Sequence, residues 1–192
     1  MYWQVYLHKT VISAENMLIK VLQRAKELIN QGKEVYANPF LSKFLKNNYT
    51  INDFDNNTQL LDDFAELDDF DIYSCLKYWK KNPDFVLSSL SKRILNRKLL
   101  KIKLQDIPFE ESEIKNEISK LKQFNNINNQ EAKYFIFSDK VSNSTYNIEK
   151  SNINILMKNG EVIDIISASG QFNIETLKKT INKYFLCYPN LK

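Results

Sequence analysis

The chain has 192 residues, 43% hydrophobic and 26% charged, with a formal net charge of +4. That is the balance of an ordinary globular chain, long enough for one large domain or two small ones. The modest basic excess suits small anions such as nucleotides and falls short of a nucleic-acid footprint. The first apolar run is broken by Gln4, His8 and Lys9, and no stretch of eighteen apolar residues could span a membrane, so a reducing cytoplasm is the expected location. Cys75 and Cys187 match no metal-ligand spacing and are expected to be buried free thiols. Lysine supplies 24 of the 27 basic residues, so each of the three arginines carries more information than any lysine.

The opening stretch, Met1 to Ile29, holds the only histidine. Leu18, Val21, Leu22, Ala25, Leu28 and Ile29 recur at three- and four-residue steps, which predicts one face of a long helix closed by Gly32. Its start, Met1-Tyr2-Trp3, offers no Ser, Thr, Asp or Asn as a cap. Either the chain begins inside a helix, or an uncapped end packs its aromatics on the core. Asn38-Pro39 predicts a cap and first turn for a short helix bearing Phe40, Leu41, Phe44 and Leu45. Residues 47–59, rich in Asn and Asp, read as a loop anchored by Tyr49, Ile51 and Phe54.

Asp62, Asp63, Glu66, Asp68, Asp69 and Asp71 form a carboxylate-dense block. A paired-acid or cation site is one reading; the stronger is that Asp68 and Asp69 cap the helix carrying Ile72, Cys75, Leu76 and Trp79. Asn82-Pro83 repeats the cap-then-proline device before a helix through Phe85, Val86, Leu87, Leu90 and Ile94. The segment from Leu95 to Lys101 is then a basic cluster at a helix-to-strand junction. A guanidinium fork backed by an ammonium can hold phosphate oxygens there, although cations are also favoured at any helix C-terminus.

From Leu99 the period becomes alternating, and Leu100, Ile102 and Leu104 predict a half-buried strand ending before Pro108. Glu110, Glu111 and Glu113 open an amphipathic helix with Ile114, Ile118, Leu121 and Phe124 on its apolar face. A polar linker, Asn125 to Gln130, leads to a predicted strand at Tyr134 to Phe137 and a loop over 142–147. Ile153, Ile155 and Met157, then Asn159-Gly160, then Val162, Ile163, Ile165 and Ile166 predict a hairpin. A last helix with Ile174, Leu177 and Ile181 after a cap at Asn173, and a strand at Tyr184 to Tyr188, complete the pass. The expected fold is a mostly α N-terminal half, residues 1–98, followed by an α+β half of ferredoxin-like or split βαβ type, residues 99–192, with the two halves packed together.

Three segments together, YWQVYLHKT at 2–10, LDDFDIYSCLKYW at 67–79 continuing into NPDFVLSSLSKRILNRKLLK at 82–101, and KYFLCYP at 183–189, resemble the C-terminal part of bacterial HD-domain phosphohydrolases related to the deoxynucleoside triphosphate triphosphohydrolases. In that family a helical bundle holds a metal through a His, a His-Asp pair and a further Asp, and a nucleoside triphosphate is hydrolysed to nucleoside and triphosphate. The resemblance implies that Tyr6 lines a substrate pocket and that His8 and Lys9 touch an activating nucleotide between subunits. It implies the same of Arg97 and Lys101, four apart, for nucleotide phosphates. It further implies a dNTP- or GTP-like ligand and a homo-oligomer for the intact enzyme.

The departure is the metal site. With one histidine and no His-Asp pair, the chain is expected to supply no catalytic residue, no metal ligand and no bound cofactor. The divalent metal belongs to the intact enzyme, and the uncapped start then reads as a truncated product or a partial reading frame. The rival expectation is an autonomous, non-catalytic nucleotide-binding or protein-interaction module working through its α+β tail. The fragment reading predicts an exposed apolar patch around Tyr2, Trp3 and Val5, and the module reading predicts none.

Overall fold

A computed structural model describes residues 7–143, 154–164 and 181–191. The first long helix, α1 (Lys9–Asn30), begins after an extended residue, His8, whose Nδ1 accepts the Thr10 N–H at 3.2 Å. The helix is therefore capped after all, by an imidazole nitrogen standing where a hydroxyl or carboxyl oxygen was sought. Ile12, Met17, Val21, Ala25 and Leu28 form its buried stripe, with Leu18, Leu22 and Ile29 half-buried beside it. Gly32, at φ 74°, ends it as expected.

Helix α2 (Pro39–Lys46) starts as the Asn38-Pro39 pair predicts: Asn38 Oδ1 accepts the Leu41 N–H at 2.9 Å, and Leu41 and Leu45 are buried. The expected loop over 47–59 is instead largely helical, with α3 (Ile51–Asp55) and the start of α4 (Thr58–Ala65). Asn and Asp favour loops because they bond to local backbone, but the same bonds cap helices. Asp53 accepts from the Thr50 N–H and hydroxyl, and Asn57 Oδ1 accepts from Leu60 N–H. Ile51 is 74% exposed and anchors nothing. Tyr49 and Phe54 do anchor, edge to face against Phe44 and Phe64 at 5.7 Å each.

Part of the carboxylate block serves as caps and pairs, but Asp69, expected to cap beside Asp68, is the first helical residue and its side chain makes no hydrogen bond among the described residues. Asp68 and Asp71 form a reciprocal capping box at the start of α5 (Asp69–Trp79), and Asp63 pairs with Lys43 and accepts from Gln59. Cys75, Leu76 and Trp79 are buried, and the Trp79 indole donates to the Tyr36 carbonyl at 2.6 Å. The cap of α6 (Phe85–Leu95) is Asp84 rather than Asn82. Asp84 Oδ1 accepts the Leu87 N–H, while Asn82 Oδ1 accepts the Asp84 N–H and makes only the turn before it. Proline at 83 lies outside the helix, so the proline rule placed the boundary two residues early.

Strands β1 (Lys101–Gln105), β2 (Phe137–Asn143) and β5 (Ile181–Tyr188) form a sheet in the order β1-β5-β2, with β5 antiparallel to both neighbours. β1 and β2 therefore run parallel, joined through α7 (Glu111–Phe124) and α8 (Asn129–Ala132) with β5 between them, which is a split βαβ arrangement. β3 (Asn154–Leu156) and β4 (Val162–Asp164) pair separately, around a turn with Gly160 at φ 85°. The Asn-Gly hairpin forms, but among the described residues it does not extend the sheet into a four-stranded ferredoxin-like one.

Four expectations in this half are corrected. Tyr134 to Ile136 close a turn after α8, with Phe135 and Ile136 bonded back to the Ala132 carbonyl, so β2 starts only at Phe137 and takes in Ser142 and Asn143. A four-residue apolar run cannot itself distinguish a buried turn from a strand. The polar linker from Asn125 contains the start of α8, capped by Asn128. Phe124 is 63% exposed, because the apolar face of α7 buries only Leu121 fully. Ile181 opens β5 rather than continuing a helix; Asn173, Ile174 and Leu177, like Ile153, Ile165 and Ile166, lie outside the described residues.

One apolar cluster contains Met17, Leu76, Trp79 and Leu90 of the helices together with Leu100, Ile102, Phe185, Leu186 and Cys187 of the sheet. Both thiols are free and buried as expected, and burial pushes Cys187 up to about 12. Among the described residues no helix is long and apolar enough to cross a membrane.

Candidate functional site

The junction from α6 to β1 is built on a strained backbone. The Lys98 N–H reaches the Arg93 carbonyl at 2.8 Å and the Arg97 N–H reaches the Ile94 carbonyl at 3.1 Å, the two bonds of a Schellman helix end. The residue that must turn left-handed in this motif is Arg97, at φ 54°. Glycine is the usual occupant, because a Cβ there costs about 1 kcal/mol. Backbone strain of this kind is a reason to look for function at the residue that bears it.

Arg97, Lys98 and Lys101 are all exposed around this turn, and none forms an ion pair among the described residues. Between them Leu100 is buried, and its carbonyl accepts the Ser13 hydroxyl at 2.8 Å. That bond ties the second turn of α1 to the junction, one turn beyond His8 and Lys9. The first turn of α1 carries no acidic residue, so the positive end of its dipole adds to the local field. His8 is exposed and its Nδ1 serves the cap, which leaves Nε2 for any ligand. Tyr6, and with it Tyr2, Trp3 and Val5, lies outside the described residues.

A second polar cluster escaped the sequence. Arg24 on α1 donates from Nε and Nη2 to the two oxygens of Asp84, at 3.1 and 2.6 Å, and from Nη1 to Glu27 at 2.8 Å. Its guanidinium also lies 5.6 Å over the Tyr134 ring. Burial pushes the Asp84 carboxyl up, but the Arg24 hydrogen bonds and the Leu87 N–H outweigh it and hold the group below its ordinary value. Burial and the neighbouring Glu27 carboxylate push Tyr134 up to about 12. The cluster borders a cleft of about 470 Å³ that Lys20 and Lys133 also line. Its arginine is neutralised by two carboxylates and its phenol stays protonated at neutral pH, so it joins α1 to α6 and offers no acid or base. Sixty residues separate Arg24 from Asp84, and no local spacing announces such a pair.

The implied metal does not fit these residues. A centre of that kind needs several imidazoles and carboxylates converging on one ion. The chain has one histidine, and no group of three His, Cys, Asp or Glu able to hold a metal occurs among the described residues.

No family model matches the chain. It is 30% identical over 199 residues to the uncharacterized protein YwfO of Bacillus subtilis (strain 168), a match covering 98% of this chain and 42% of that protein. It is also similar to the crystal structure of a phosphohydrolase from Bacteroides thetaiotaomicron VPI-5482, with a TM-score of 0.81 and 42% identity over 99% of this chain and 47% of the other. The chain thus spans less than half the length of either protein. In sequence and fold, it is related to a phosphohydrolase.

Proposed function

We propose that the chain is the C-terminal part of an HD-family phosphohydrolase of the dNTP triphosphohydrolase type and that its own share of the work is to bind nucleotide phosphates. The observation that carries this reading is the likeness to the Bacteroides phosphohydrolase along nearly the whole chain. The junction supports it locally: an arginine at a position that favours glycine, two exposed lysines, and the second turn of α1 bonded beside them. Arg97 grips a phosphate with its planar fork, Lys101 adds a point charge, and His8 and Lys9 approach from the start of α1. Tyr6 shapes the substrate pocket in the intact enzyme. The metal chemistry is completed by residues outside this chain, because its single histidine and the described donors do not fit an ion.

Helices α3 to α5 leave Ile51, Phe64, Phe70 and Tyr73 exposed, Phe70 at 82%. That much exposed apolar and aromatic surface supports an oligomeric intact enzyme. Calorimetric titration with dATP and GTP tests the phosphate site, with Arg97→Ala and Lys101→Ala each expected to weaken binding about tenfold, or about 1.4 kcal/mol. Unchanged affinity in both variants would reduce the junction to a solvated helix end. With added divalent metal, the chain alone is expected to release no triphosphate. Robust turnover by it would overturn the assignment of the metal site elsewhere.

A further inference from the structure

The side chain of the third arginine, Arg93, takes no part in the Arg24–Asp84–Glu27 cluster, and the junction turn uses only its backbone carbonyl. Arg93 sits in the last turn of α6, where a cation is ordinarily favoured by the helix dipole in open solvent. Here it instead lines a small cavity of about 130 Å³, walled by Phe85, Leu121 and Phe135 and edged by Ser89 and Asn125. Phe135 and Leu121 are buried, and the Phe85 and Phe135 rings meet at 5.8 Å. Among the described residues no carboxylate lines this cavity. The Arg93 guanidinium has no ion pair and no hydrogen bond among the described residues, and the side chains of Ser89 and Asn125 have no hydrogen bond there either. Burial alone pushes the guanidinium below its ordinary value, with nothing opposing it.

Arg24 shows how this chain treats a partly buried guanidinium whose role is structural: it supplies two carboxylates and a ring. The Arg93 guanidinium is partly withdrawn from water against apolar walls and has no partner among the described residues, so an anion in the cavity would supply the interaction that Asp84 and Glu27 supply to Arg24. The volume is several times the roughly 30 Å³ share of a water molecule and well below the ~300 Å³ at which pockets for drug-sized ligands begin. A single oxyanion group therefore fits, and a whole nucleotide does not. Arg93, Ser89 and Asn125 together offer a fork, a hydroxyl and an amide as donors. Three such donors suit a tetrahedral group with several acceptor oxygens better than a planar carboxylate, which the fork alone would satisfy.

We propose that the cavity formed by Arg93, Ser89 and Asn125 at the end of α6 binds one phosphoryl-type oxyanion, as free phosphate or as the terminal phosphoryl of a longer ligand. The site is separate from the Arg97 junction and does not depend on the reading given to it.

The chain has only three arginines, so its Nε–H resonances can be followed one by one in a nitrogen–proton correlation spectrum. The Arg93 signal is assigned through bonds to its own backbone and titrated in the whole chain with inorganic phosphate, with tripolyphosphate and with acetate. Saturable movement of the Arg93 signal with phosphate, at least tenfold tighter than with acetate, is the expected result. Asn125→Ala should weaken it severalfold. Tripolyphosphate binding more tightly than phosphate would identify the occupant as the end of a longer ligand, and equal affinity would identify the free ion. An Arg93 signal that stays still in phosphate, or that responds equally to acetate, would overturn the proposal whatever the Arg97 signal does.

Discussion

Arg24 and Arg97 are the same side chain in two opposite situations. Arg24 is only 13% exposed, held by Asp84, itself 11% exposed, and by Glu27, and it lies on an ordinary helical backbone. Arg97 is exposed, has no ion-pair partner among the described residues, and sits on a left-handed backbone that disfavours it. The first is explained by the fold. The second costs the fold something and returns nothing within it, which is the pattern expected where a ligand supplies the missing interaction.

The largest test of the contrast is at the clamp. Replacing Asp84 with Ala removes a helix cap and leaves the Arg24 guanidinium facing only Glu27. The expected loss is about 3 kcal/mol, or roughly 6–12 °C in melting temperature for a chain of this length, measured by calorimetry. A loss as small as that of an exposed ion pair, below ~1 kcal/mol, would show that the clamp contributes little.

The strain comes next in size. Gly32 ends α1 by the same two bonds that Arg97 completes in α6, with Gly32 N–H to Ile29 and Lys33 N–H to Leu28, both at 2.9 Å. A Cβ at Gly32 would meet no atom within 4 Å, so Gly32→Ala isolates the cost of the left-handed backbone, about 1 kcal/mol. Arg97→Gly should gain a similar amount, raising the melting temperature by about 2–4 °C while weakening nucleotide binding. Stability and affinity moving in opposite directions is the signature sought. A destabilised Arg97→Gly would mean that the arginine serves the fold.

Acid sharpens the clamp further. The Asp84 carboxyl lies below its unfolded value, so its contribution is complete above about pH 4 and fades as the pH falls through the lower folded value. Asp84→Asn should therefore lose less stability than the wild type between about pH 4 and 2 in urea melts. The smallest effect is alkaline. Tyr134 is raised to about 12 in the folded chain, so its contribution is present below about pH 10 and is lost as pH rises toward 12. Tyr134→Phe should flatten that part of the profile; an identical slope would place the alkaline transition on other groups.

Much of the helical part was legible because its signals are local. Asn38 with Pro39, Asp68, and Gly32 act within a few residues of themselves, so spacing alone predicts their roles, although Asp71 rather than the expected Asp69 completes the Asp68 cap. Misreadings arose where one local rule has two outcomes. Asn57 and Asp53 look like loop formers and cap short helices, while Tyr134 to Ile136 look like a strand and close a turn. The candidate site was half legible. Basic residues at Arg97 to Lys101 are visible in the chain, but the left-handed backbone under Arg97 is not, because its sequence lacks the glycine that announces such a turn. His8 as a cap was also hidden, since imidazole is a rare choice there.

By itself the sequence determined the helix stripes, the caps at Asn38 and Asp68, the hairpin at Asn159-Gly160 and the resemblance to phosphohydrolases, all of which are written in spacings of a few residues or in recognisable segments. Only the tertiary structure decided which arginine is clamped, which is strained and which stands alone in a cavity. It also decided that β5 lies between β1 and β2. Those outcomes join residues as far apart as Arg24 and Asp84, Ser13 and Leu100, or Arg93 and Phe135, and pairings over such separations are fixed by packing, which no local pattern encodes.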